Sequence, residues 1–186
     1  MKYKIQTKHL CVIALAIVIN LIGSQIALAF RLPIYLDSMG TMLIAAIYGP
    51  FLGAIPSLVS GFILGITIDI YSLYYAPVGI LLGLLTGWIC KSKNNHIAWI
   101  VWATFLITIP TSIVGSFITA NLFGGITSSG STYLVQLLAK TPLGLTASCF
   151  LVQVITDYID RFVTLVLVLL FIKKIPDTML QKLKSK

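Results

Sequence analysis

The chain has 186 residues, 58% of them hydrophobic and 10% charged, and carries a net charge of +8. An ordinary soluble domain is about 25% charged, so this chain cannot clothe a water-facing globule, and at roughly 20 apolar residues per crossing its length allows about six or seven membrane passes. No room remains for a separate catalytic or ATPase domain, and residues 1–186 read as one integral membrane domain, an all-α compact bundle of six transmembrane helices.

The first predicted helix covers residues 9–30, behind Lys2, Lys4 and Lys8. A basic start, an apolar run and Ala27-Leu28-Ala29 also have the layout of a cleavable signal peptide; the segment is read here as a transmembrane helix. Pro33 stops helix continuation, which makes residues 31–36 a short outer loop. The second helix covers 38–48, with Asp37 or Ser38 placed to cap it. It is short, and is expected to be tilted or sheltered from lipid. Gly49-Pro50 forms an inner turn, and the third helix covers 51–70. After a tyrosine-rich outer loop at 71–76, the fourth helix covers 77–90, opening on Pro77 at a favoured first position. The fifth covers 97–120 and is expected to kink at Pro110. A Gly/Ser/Thr-rich outer loop at 121–131 and an interfacial stretch at 132–140 follow. Thr141-Pro142 opens the sixth helix, 142–172, and Pro176 ends it within a basic tail, 173–186.

The basic residues gather at Lys2, Lys4 and Lys8, at Lys91 and Lys93, and at Lys173, Lys174, Lys182, Lys184 and Lys186. Clusters that flank apolar spans set orientation by the positive-inside rule, which puts all three, and both termini, in the cytoplasm. The same lysines attract anionic lipid headgroups; nothing in their layout reads as a nucleic-acid surface. Cys11, Cys90 and Cys149 are isolated, and His9 and His96 fall at predicted helix ends, so no disulfide framework, metal site or cofactor is expected. Gly61 and Gly65, then Gly79, Gly83 and Gly87, form ladders at four-residue spacing that let helices approach closely in lipid; packing within the bundle is the favoured reading over oligomerisation.

Ionisable groups at membrane depth are expensive and point to function. Asp37 and Asp69 are predicted at the outer ends of the second and third helices, Asp37 as either helix cap or ligand contact. Asp157 shares a helix face with Asp160 and Arg161, with Arg161 about 18 Å of helix from Lys173, as a structural ion pair, a ligand contact or both. With Tyr35, Tyr71, Tyr74, Tyr75, Asn121, Lys140 and Gln153 they compose a candidate substrate site in the outer half of the bundle, apolar walls with few polar groups. No phosphate loop, zinc-binding helix or nucleophile elbow occurs, so no enzymatic activity is expected.

Leu32-Pro33-Ile34-Tyr35-Leu36-Asp37-Ser38-Met39-Gly40-Thr41 followed by Tyr48-Gly49-Pro50, together with Asp157-Tyr158-Ile159-Asp160-Arg161, resembles the substrate-binding S components of energy-coupling factor (ECF) transporters, in a branch apart from the best-known vitamin binders. The resemblance covers nearly the whole chain in length, helix count and charge layout. It implies a bacterial plasma-membrane protein that captures a micronutrient from outside with high affinity. Residues 31–36 and 121–131 would lie over the site. The implied partners are a transmembrane coupling protein and two ATPase subunits, and release inward would follow a bodily rotation of the chain. The family often carries small residues four apart on the inner half of helix 1, where the coupling protein docks. Ala14 and Ala16 are the candidates here, although Val18 and Asn20 stand at their four-residue partners.

Four carboxylates against Arg31, Lys140 and Arg161 outside the cytoplasmic clusters, with clustered tyrosines, favour a neutral or weakly cationic heterocycle such as a nucleoside-like compound or vitamin precursor. The rival functions are a membrane sensor that binds without transporting and a stand-alone proton-coupled carrier.

Overall fold

A computed structural model describes residues 6–92 and 96–184; Lys2, Lys4, Lys93 and Lys186 lie outside the described residues. Among those described, all regular structure is helical: α1 (Thr7–Ala29), α2 (Met39–Tyr48), α3 (Pro50–Thr67), α4 (Ile70–Tyr74), α5 (Ala76–Ile89) running into a 3-10 turn (Cys90–Ser92), α6 (Ile97–Phe123), α7 (Ser131–Ala139), α8 (Gly144–Lys174) and α9 (Asp177–Lys184). The predicted outer loop at 71–76 is mostly helical, as α4 and the start of α5. The predicted interfacial stretch is α7, and part of the predicted tail is α9. The first two form because tyrosines and leucines there have an apolar surface to pack on, which spacing alone did not disclose.

The distribution of polar and apolar residues is inverted relative to a soluble protein. On α1 the buried positions His9, Ile13, Ala16, Asn20, Ser24 and Ala27 recur at three- and four-residue steps, while Leu15 (65% exposed), Ile22 and Ile26 face outward. On α6 the interior row is Thr104, Thr108, Thr111, Ser112, Ser116 and Thr119, and Trp102 (65% exposed), Leu106 and Phe117 lie outside. Hydroxyls inward and large apolar side chains outward is the arrangement a hydrocarbon solvent selects. Some of the buried hydroxyls are satisfied within the helix: Thr104 donates to the Ile100 carbonyl at 2.8 Å, and Thr111 to that of Ile107 at 2.7 Å, whereas Thr108 Oγ1 has no partner among the described residues.

Helices α1, α3 and α6 are long and apolar enough to cross a membrane. The 31 residues of α8 reach about 46 Å at 1.5 Å per residue. It is more charged than these three because Asp157, Asp160 and Arg161 interrupt it. The ten residues of α2 reach only about 15 Å. Met42, Ile44, Ala45 and Thr41 are fully buried, and α2 touches α1, α3, α5 and α8. It is the central post of the bundle.

Close approaches between helices fall where Cβ atoms are missing. The face of α5 carrying Gly79, Gly83 and Gly87 lies on α3, where side chains at these positions would meet Ser57, the Gly53 backbone and Pro50 respectively. The ladder is thus an internal seam between neighbouring helices, a van der Waals contact of the kind that lipid leaves as the main source of helix cohesion. Gly49 turns α2 into α3 at φ 93°, a left-handed conformation that costs a residue with a Cβ.

The bundle has two unlike ends. At one, His9 packs edge-on against Tyr48 with ring centroids 5.0 Å apart, and its Nε2 lies 3.2 Å from the Leu183 carbonyl, so the start of α1 meets the tail. This half is filled by Met42, Ile100, Ala103, Ile107, Leu165 and Val168. At the other end, the loop after α1 and the loop after α6 are stitched together. Gly130 N–H donates to the Leu32 carbonyl at 3.2 Å, and exposed Arg31 reaches the Tyr133 hydroxyl at 3.2 Å. Beneath these loops the core is polar and not fully packed.

Candidate functional site

The first turn of α2 is capped from another helix. Asn20, fully buried on α1, accepts from the Gly40 N–H at 2.7 Å and donates to Thr41 Oγ1 at 2.9 Å. Neither Asp37 nor Ser38 caps α2 with its side chain, which corrects the capping expectation. Because Asn20 satisfies the helix start, both are released to the space beside it. Ser38 Oγ donates to Asp160 Oδ2 at 3.2 Å, and the Leu36 N–H donates to Asp160 Oδ1 at 3.3 Å. Leu36 sits at φ 53°, an unusual conformation for a residue with a side chain, and the Asp160 carboxylate receives the N–H that this conformation presents.

On the same stretch of α8, Asp157 Oδ2 accepts from Arg161 Nη2 at 3.1 Å and from Ser112 Oγ at 2.8 Å. Arg161 Nη1 donates to Thr111 Oγ1 at 2.6 Å. The ion pair therefore ties α8 to two consecutive residues of α6. Further toward the loop end, Gln153 Nε2 donates to Thr119 Oγ1 at 2.6 Å, and Thr119 passes its proton to the Gly115 carbonyl at 2.9 Å. The Tyr75 hydroxyl bonds to the same Thr119 oxygen.

These groups border a partly enclosed cavity of about 90 Å³. Tyr35, Asp37 and Ser38 come from the loop before α2 and its cap. Serines 57 and 60 come from α3, Tyr71 and Ser72 from α4. Asp69, Tyr75, Gly115, Thr127, Ser128 and the α8 side chains Gln153, Asp157, Asp160 and Arg161 complete the polar wall, with Leu82 on the apolar floor. Asp69 closes one corner, accepting from Ser128 Oγ at 2.8 Å and Ser72 Oγ at 3.3 Å. Tyrosines 71, 74 and 75 surround Phe123, with centroids 4.6, 5.3 and 6.5 Å away, and Tyr35 lies 6.4 Å from Tyr75.

Of the residues predicted for the site, Tyr35, Asp37, Asp69, Tyr71, Tyr75, Gln153, Asp157, Asp160 and Arg161 line this one cavity. Tyr74, Asn121 and Lys140 do not. Tyr74 is exposed and supports the aromatic wall from outside. Asn121 and Lys140 are exposed, Asn121 bonding the Phe117 carbonyl of its own helix at 2.9 Å. Ala14 faces outward, whereas Ala16, at 1% exposure, is closed off behind α2, its carbonyl against Gly40. Ala16 is therefore unavailable to a docking partner. Sequence reasoning missed the serines of α3 and the loop, together with Phe123, Thr119 and Asn20. Of these only Asn20, a carboxamide in the middle of an apolar helix, carried a signal.

Burial, and secondarily the nearby Asp160, push the Asp37 carboxyl up to about 7, with Arg161 opposing. Burial likewise pushes the Tyr35 hydroxyl up to about 12. Asp37 nonetheless keeps accessible surface and lines the cavity. Among the described residues no three metal-ligating side chains come together. The arrangement brings tyrosine side chains, hydroxyls and carboxylates around one space. No family profile, curated protein sequence or solved structure matches this chain.

Proposed function

We propose that the chain is the substrate-capture subunit of an ECF-type importer. The observation that carries the reading is the cavity with its carboxylates and hydroxyls under two interlocked loops, inside a chain whose outer surface is apolar. In this reading α1, α2, α3, α5, α6 and α8 make six crossings of the bacterial plasma membrane. The end holding His9 and the tail is cytoplasmic, in keeping with Lys8, Lys91, Lys173 and Lys174 at the helix ends there. The loop end faces outward and admits a small micronutrient heterocycle. The chain performs no chemistry on it. A coupling protein and two ATPases supply the energy for inward release, with Ala14, on the outward face of α1, at the docking surface.

The supporting experiment is purification from native membranes in mild detergent, followed by identification of co-purifying chains and of any small molecule released on denaturation. The expected result is two ATPases, a coupling protein and a stoichiometric heterocycle. Purification without ATPases would overturn the importer reading in favour of a sensor. Uptake by the reconstituted chain alone, abolished by a protonophore, would overturn it in favour of a carrier.

A further inference from the structure

The cavity wall brings four carboxylates, Asp37, Asp69, Asp157 and Asp160, together with one guanidinium, Arg161. Arg31 and Lys140, the other cations of this half of the sequence, are exposed and off the wall. Three of the carboxylates are committed. Asp157 is paired with Arg161, Asp69 holds two serine hydroxyls, and Asp160 holds a serine hydroxyl and the Leu36 N–H. Asp37 accepts no hydrogen bond from the side chain or backbone of any other described residue.

Resting on the capture reading above, we infer that the site selects a cation: a small ring bearing a protonated amine or amidine, with its charge against Asp37. Tyr35, Tyr71 and Tyr75 supply ring faces, which favour a cationic ligand over an anionic one. An anion would meet an excess of carboxylates. A neutral isostere would leave Asp37 buried without a counter-charge.

The test uses three probes of one shape and different charge, benzamidine, benzamide and benzoate, titrated calorimetrically into the purified protein in mild detergent at pH 8. A charge-assisted hydrogen bond is worth about 1.5–3 kcal/mol, so benzamidine should bind at least about tenfold more tightly than benzamide, with benzoate weakest. Asp37→Asn should remove the preference by bringing benzamidine down to benzamide. Lys91→Gln, which alters an exposed charge off the cavity wall, should keep the preference. Equal binding of benzamide or benzoate, a preference that survives Asp37→Asn, or no binding of any probe to folded protein would each overturn the inference. Co-purification of ATPases is read on a different observable. Selective binding without ATPases would remove the importer and leave the cation site, and ATPases with unselective binding would do the reverse.

Discussion

Asp37 carries a conflict between folding and binding that pH can expose. With its carboxyl raised by burial to about 7, its contribution to stability is complete below the ordinary carboxyl range and is lost as pH climbs through 7. The empty protein should therefore melt at a lower temperature at pH 8 than at pH 6, and Asp37→Asn should flatten that profile and raise Tm at pH 8. Binding of a cation runs the other way, because only the ionised form attracts it. The charged groups facing Asp37 are Asp160, Arg161 and Asp157 of α8. Benzamidine affinity should fall about tenfold from pH 8 to pH 6 as the proton displaces the ligand, and calorimetry at the two values checks it. Asp157 is tested by its partner and not by pH. Asp157→Ala strands a buried guanidinium, a loss of about 3–5 kcal/mol, whereas Asp157→Ala with Arg161→Met should lose less. Thermal unfolding of the single and double variants separates the two costs, and equal losses would show that the pair does not hold α6 and α8 together.

At the level of helices, the seam between α3 and α5 makes a sharp contrast between two glycines. A Cβ at Gly83 would sit 2.6 Å from the Gly53 carbonyl oxygen with further backbone behind it, while one at Gly61 would stand 3.1 Å from the Ser72 carbonyl. Alanine gains up to about 1 kcal/mol of helix propensity over glycine, against about 1–3 kcal/mol for forcing packed elements apart. Gly83→Ala should thus lower Tm, and Gly61→Ala should leave it unchanged or raise it. Similar losses at both positions would mean that the seam is not what holds these helices. The ladder was legible because glycine spacing encodes close approach directly. Helix positions were legible too, since apolar runs bounded by proline, glycine and lysine leave few alternatives. The cap on α2 was not legible. Asp37 and Ser38 are sound local candidates, and it is the crossing of α1 over α2 at Ala16 and Gly40 that lets Asn20 take the role. The serines of α3 escaped for the same reason, as a serine in an apolar helix announces neither its face nor its neighbours. The carboxylates and tyrosines of the site could be found, being rare at such depth.

For the molecule as a whole, the inverted polarity decides what a surface substitution can do. The outward stripe of α1, with Leu15, Ile22 and Ile26, is already in apolar surroundings, so a larger apolar side chain there costs little stability and acts only on whatever docks. Ala14 is the small residue on the outward face of the half of α1 nearest the tail, and Ala16 is excluded because α2 covers it. If a coupling protein seats against this face, Ala14→Trp interposes a bulky ring where a close approach is needed. Losing about 1.4 kcal/mol of docking is a tenfold effect. Uptake into cells of the compound released from the purified protein should fall at least about tenfold, with benzamidine affinity and Tm unchanged. Unaltered uptake would move the docking surface off α1, and a parallel loss of binding would show instead that Ala14 supports the fold. Leu15→Trp, one position round the same helix, supplies the comparison: an effect at Ala14 alone localises a close contact, and equal effects at both describe only a crowded helix. The separation follows from the two ends of the bundle being different in kind. The site lies under the loops at one end, the proposed docking stripe runs down α1 toward the other, and the packed apolar layer of Met42, Ile107 and Leu165 stands between them, so a perturbation on that outer stripe has no short route to the carboxylates.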